Sequence, residues 1–180
     1  MNKLLVFLLL VVLAIMLSGL YGMVHNQISY TVSPEYFTKF KFRQFGLVET
    51  PWPDRVRASV IGLLASWWMG IPIGFILGAC GFVHAGAGRM FAVTLESFGL
   101  VVGFTLLFGL AGLLYGWLQT RSIDLADYHG WLIPDNVVDL RRFLCAGYMH
   151  NASYLGGTLG IFLAAAFHLF VRIKGQPHQR

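Results

Sequence analysis

Apolar residues gather along this chain into four long runs, and nearly all of the charge falls in the intervals between them. The runs extend from Leu4 to Val24, from Ala58 to Val83, from about Met90 to Leu118 and from about Ser153 to Val171. Each is close to or longer than the roughly 20 residues with which a helix crosses a hydrocarbon core. Lipid offers no water to backbone N–H and C=O groups, so such runs must satisfy themselves as helix. The pattern predicts an all-α integral membrane protein, with four transmembrane helices in one bundle and a single domain over residues 1–180. Between the spans lie two polar, aromatic-rich loops, about 25–57 and 120–152, and one short turn from His84 to Arg89.

The two loops are expected to cap one face of the bundle as interfacial segments. In the first, Ser33-Pro34-Glu35 supplies a hydroxyl cap, a proline at the first helical position and an acid in the first turn. The residues that follow, Tyr36, Phe37, Phe40, Phe42 and Phe45, interleave with Lys39, Lys41 and Arg43. Rings in the headgroup layer and cations reaching lipid phosphate would suit that mixture. The Phe40-Lys41-Phe42-Arg43 alternation equally suits a short strand. Pro51-Trp52-Pro53-Asp54 then makes a rigid turn. In the second loop Pro134 breaks the chain, and Asp135 is placed to cap a helix from about Asn136 that continues to about Arg172.

Lys3, ahead of the first span, favours a cytoplasmic N-terminus, since Lys and Arg are retained inside. Four spans return the C-terminus, with Arg172, Lys174 and Arg180, to the same side. The two longer loops hold eight of the 13 Lys and Arg, which counts against this orientation, and seven of the eight acids. Met1-Asn2-Lys3 and the apolar run behind it resemble a secretory signal. Apolarity continues to Val24 without a small-x-small cleavage site, and Leu20 stands where a lipoprotein signal needs cysteine, so an uncleaved signal-anchor is expected. The expected location is the bacterial cytoplasmic (inner) membrane, with both termini in the cytoplasm.

Composition narrows the chemistry. Hydrophobic residues make up 57% and charged residues 12%, against about a quarter charged in a soluble domain; with four spans, little of the sequence remains for a separate soluble domain, and one helical bundle is expected. The net charge of +5 sits at span boundaries rather than in one patch, so lipid headgroups, not nucleic acid, are the anionic neighbours. Cys80 and Cys145 lie apart in or beside apolar runs and read as packed thiols. The chain has no nucleophile elbow, phosphate-binding loop or dinucleotide fingerprint.

Glycine recurs at spacings of four: Gly70, Gly74 and Gly78; Gly99 and Gly103; Gly112 and Gly116; Gly156 and Gly160. Small residues so spaced let helices approach closely in lipid, within the bundle or in a homo-oligomer. Pro72 removes a backbone bond in mid-span, as a kink or a gate would.

Glu96 is the only acid inside a span, and an ionisable group at that depth marks function by default. With His168 at a similar depth it would form a proton relay. The histidines make a second pattern. His150 and His168 are 18 residues apart, five helical turns, so they share one face about 27 Å apart. His25 belongs to the same membrane side as His150, and His84 to the side of His168, giving one imidazole pair per face. Bis-histidine ligation of haem b, or of a metal, needs such an arrangement; boundary histidines also occur as plain headgroup-zone polar residues. Tyr30, Glu35, Tyr148 and Asn151 would extend the site on the loop side. His25-Asn26-Gln27-Ile28-Ser29-Tyr30 also resembles His150-Asn151-Ala152-Ser153-Tyr154 with one residue deleted. Three readings follow: a small scaffold or accessory subunit binding a membrane-protein partner or a second copy; an electron-transfer protein; and a proton-coupled transporter or channel using Glu96.

Overall fold

The computed structural model describes residues 2–174; Arg180 lies outside that range. The protein is all-helical, with no strand among the described residues, and four of its helices are long and apolar enough to cross a membrane. The first is α1, Lys3–Val32. Next come a π-helical segment, Tyr36–Lys41, and a short α2, Phe42–Gln44. The second long helix is composite: α3, Asp54–Ser66, a 3-10 turn, Trp67–Met69, and α4, Gly70–Gly81. The third and fourth are α5, Ala87–Gln119, and α6, Leu140–Lys174.

The side chain of Asn2 starts α1 by accepting from the Leu5 N–H at 2.8 Å. The helix does not stop where apolarity ends at Val24. The polar residues beyond find partners on a neighbour: Asn26 Nδ2 donates to the Ala58 carbonyl (2.9 Å) and Gln27 Nε2 to that of Arg55 (2.8 Å). Ser33 ends α1 in extended backbone, and its Oγ accepts the Tyr36 N–H at 3.2 Å, so the helix start at Ser33-Pro34-Glu35 forms as the sequence suggests. Hydrogen bonds that span one residue more than α-helical ones then give the π segment, where the Phe42 N–H reaches the Phe37 carbonyl. Phe40–Arg43 is therefore helical, not a strand. Gly46, at φ 68°, closes α2 with the Gly46 and Leu47 N–H groups on the Arg43 and Phe42 carbonyls, a backbone turn that wants glycine.

Pro72 offers no N–H to the Trp68 carbonyl, and one turn earlier the helix tightens into the 3-10 turn that separates α3 from α4. α6 begins later than Asn136: Asp139, not Asp135, caps it, accepting the Arg142 N–H at 3.0 Å. The preceding Val138 and Asp139 N–H groups donate to the carboxylate of Glu35 (2.7 Å for the shorter bond to Asp139), which ties the two loops together at one end of the bundle.

Glycines decide how the helices pack. A Cβ on Gly22 of α1 would meet the Gly62 carbonyl of α3, and one on Gly62 would meet that of Gly22, so these backbones touch. Gly70 and Gly74 seat α4 on Ala14 and Val11 of α1, while Gly112 and Gly156 join α5 to α6. Gly99 and Gly103 have nothing near them and open outward. The molecule is thus two pairs, α1 with α3–α4 and α5 with α6. α4 reaches across to the second pair, but α3 makes no substantial packing against α5 or α6. One apolar cluster, including Leu10, Leu77, Met90, Phe98 and Ala164, fills the far end. Another, including Phe37, Phe42, Ile61 and Phe143, lies under the loops.

Candidate functional site

The gap between α3 and the α5–α6 pair is a cavity of about 110 Å³. Two helices contribute the same register to its wall. Ser18, Tyr21, Gly22 and His25 line it from α1, and His150, Ser153, Tyr154 and Gly157 from α6, each set at intervals of three, one and three. Residues so spaced share one helix face. Val101 and Val102 of α5 and Ile61, Ala65 and Met69 of the composite helix supply an apolar part, Asn26, Ser66 and Thr105 add polar side chains, and Lys41 stands at the loop end.

At that end the structure brings His25 and His150 together, their rings edge to face with centroids 4.6 Å apart. His150 stacks on Tyr36 and its Nε2 lies 3.2 Å from Ser29 Oγ. His25 Nδ1 lies 3.3 Å from the Tyr21 hydroxyl. With that hydroxyl as donor, Nε2 carries the proton, and it is buried with no partner. The Oγ of Ser153 is also buried, seated over Gly109 and near the Tyr21 hydroxyl but without a hydrogen bond of standard geometry. Buried polar groups are nearly always hydrogen-bonded, so two orphans in one cavity wall mark a place where a partner belongs. Lys41 is the one charged residue of the lining. Its Nζ donates to Gln44 Oε1 (2.9 Å), rests 4.7 Å from the Phe40 ring centroid and has no carboxylate partner among the described residues. Burial holds its ammonium below the ordinary lysine range and pushes the Tyr36 phenol above the ordinary tyrosine range. Lys41 also lines an adjoining surface cleft with Tyr36, Phe40, Trp131, Phe143 and Asn151.

At the opposite end His84 and His168 also meet. His84 Nε2 and His168 Nδ1 are 3.1 Å apart, and His168 Nε2 lies 3.3 Å from Ser97 Oγ. Lys3 donates to the carbonyls of Phe82 and His84, fixing the turn against α1. Burial, followed by the charges of Arg89, Arg172 and Lys3, holds His84 below its ordinary value.

Neither pair has the geometry of a bis-imidazole haem b site. Ligands on opposite sides of one metal stand about 4 Å apart, two bonds of about 2 Å each. His84 and His168 are instead hydrogen-bonded to each other, and the rings of His25 and His150 touch, leaving no slot for a macrocycle. No group of three or more His, Cys, Asp or Glu gathers as a metal site among the described residues. Nor does the structure join Glu96 to His168. Glu96 projects from the outer face of α5 beside Gly99 and Gly103, and Ser97, one residue on, takes the place facing His168.

The other residues suggested for the loop side have separate duties. The hydroxyl of Tyr30 donates to Asp54 (3.1 Å), Glu35 holds the start of α6, and Tyr148 packs with Tyr128 and Trp131. Asn151 borders the adjoining cleft. The sequence pattern puts Lys41 at the lipid surface and does not single out Tyr21, Ser153 or Tyr154 as site residues. The matched spacings on α1 and α6, flagged only by the echo around His25 and His150, were the available signal. Comparison with protein-family models, with curated proteins and with solved structures gives no match.

Proposed function

We propose that this chain is a four-span protein of the bacterial cytoplasmic membrane that acts as a small accessory subunit, holding a membrane-soluble amphiphile between its helices. In this reading α1 is an uncleaved signal-anchor, both termini are cytoplasmic, and the loops with Lys41 lie at the opposite face. One observation carries it: a largely apolar cavity has the buried His25 Nε2 and Ser153 Oγ in its wall, neither with a hydrogen bond of standard geometry. Concave, largely apolar sites with a few convergent polar groups are where small molecules bind. The weak packing of α3 on α5 and α6 supports a lateral way in from the bilayer.

Native mass spectrometry of protein purified in mild detergent tests this. Wild-type protein should retain a non-covalent adduct of defined mass, and Ala65→Phe or Thr105→Phe, which fill the cavity, should lose it. Bare wild-type protein, or the same adducts in both variants, would speak against it.

A second reading, docking of a membrane-protein partner or a second copy, is favoured by the outer face of α5. Glu96 there is exposed beside two open glycines, and a carboxyl group facing lipid at that depth is costly without a partner.

A further inference from the structure

We infer that the cavity takes an oxyanion headgroup, a carboxylate or a phosphate monoester on an aliphatic tail, gripped by Lys41, His25 and Ser153. The inference rests on the amphiphile-binding reading and names its ligand class. Three donors face a lining that contains no aspartate or glutamate. A neutral carbonyl headgroup would satisfy His25 and Ser153 but leave the Lys41 ammonium without a counter-ion. An oxyanion answers all three, because it only accepts hydrogen bonds and has lone pairs enough for each.

The direction of Lys41 is built into the chain. The π segment, with hydrogen bonds one residue longer than α-helical ones, lays the Lys41 ammonium over the Phe40 and Tyr36 rings and makes Lys41 part of the cavity lining, while Arg43, two residues on, is exposed. Lys41 is thus distinguished from the cations free to meet lipid phosphate outside. Its lowered pKa agrees with a half-buried ammonium that has no paired acid among the described residues. Away from the donors, the walls at Met69, Ile73 and Val101 suit a tail.

Calorimetric titration of the full-length protein in detergent tests the assignment with four probes: oleate, a long-chain alkyl phosphate, oleyl alcohol and inorganic phosphate. At least one of the two oxyanion amphiphiles should bind about tenfold or more tightly than the alcohol, the worth of a charge-assisted hydrogen bond. The tighter of the two names the source. Lys41→Gln should abolish the preference, Lys41→Arg should keep it, and inorganic phosphate should not bind. Equal affinity for alcohol and oxyanions, a preference that survives Lys41→Gln, or binding of inorganic phosphate alone would overturn the headgroup assignment. Failure of all four probes on wild-type protein would overturn the cavity reading itself.

Discussion

At the scale of single residues, one position along a helix decides what a polar group can do. Glu96 and Ser97 differ by about 100° around α5, and that turn sends the carboxylate outward and the hydroxyl to His168. The pairing of His84 with His168 and of His25 with His150 was legible, because spans of known order put their ends at known faces. The facing of Glu96 was not, because depth says nothing of rotation. His84 carries a pH prediction. Its folded pKa lies below the ordinary value of about 6.5, so protonation is harder folded than unfolded. Its contribution to stability is therefore whole above about pH 6.5 and is lost as pH falls toward the folded value. The melting temperature of the detergent-solubilised protein should fall from pH 7.5 to 5.5, and His84→Gln should flatten that fall; an unchanged slope would contradict it. Glu35 offers a stability test at the same scale. Removing its carboxylate from the α6 start by Glu35→Ala should cost about 0.5–1 kcal/mol, read by thermal melting.

Among the elements, the four long apolar helices could be read from their uncharged runs, but their ends could not. Hydropathy drops at His25, yet α1 runs on to Val32 because Asn26 and Gln27 are bonded to α3. Polar residues there join helices instead of ending them. Asp139 in place of Asp135 shows the converse: an acid just before a helix pattern is a cap only if the backbone turns there, and Glu35 from the other loop fixes that point. The π segment had no signature beyond its aromatic and basic mixture. Glycine spacing was legible as close packing, and the structure divides it into inward and outward sets. Gly62→Val should drive a side chain into the α1 backbone and destabilise the protein by about 1–3 kcal/mol or more. Gly99→Val should leave melting unchanged. If α5 docks a partner, Gly99→Val and Glu96→Gln should each reduce the cross-linked complex recovered from native membranes.

For the molecule as a whole, the site follows from how two helix pairs lean together. Pro72 and the 3-10 turn separate α3 from α4, α4 closes one end of the bundle, and α3 stays on α1, so the other end remains open beneath the loops. No single segment encodes that gap, which is why the sequence revealed the histidines but not the cavity they line. The proposed role, an amphiphile held between the helices, makes the contents of that gap the decisive question. A photo-reactive benzoylphenylalanine at Ala65, in the wall, can be compared with one at Phe75, on the exposed outer surface. After irradiation in native membranes and mass analysis, the account predicts one amphiphile species enriched at position 65 and unselected bulk lipid at position 75. The same bulk lipids at both positions, or no small-molecule adduct at 65, would contradict it.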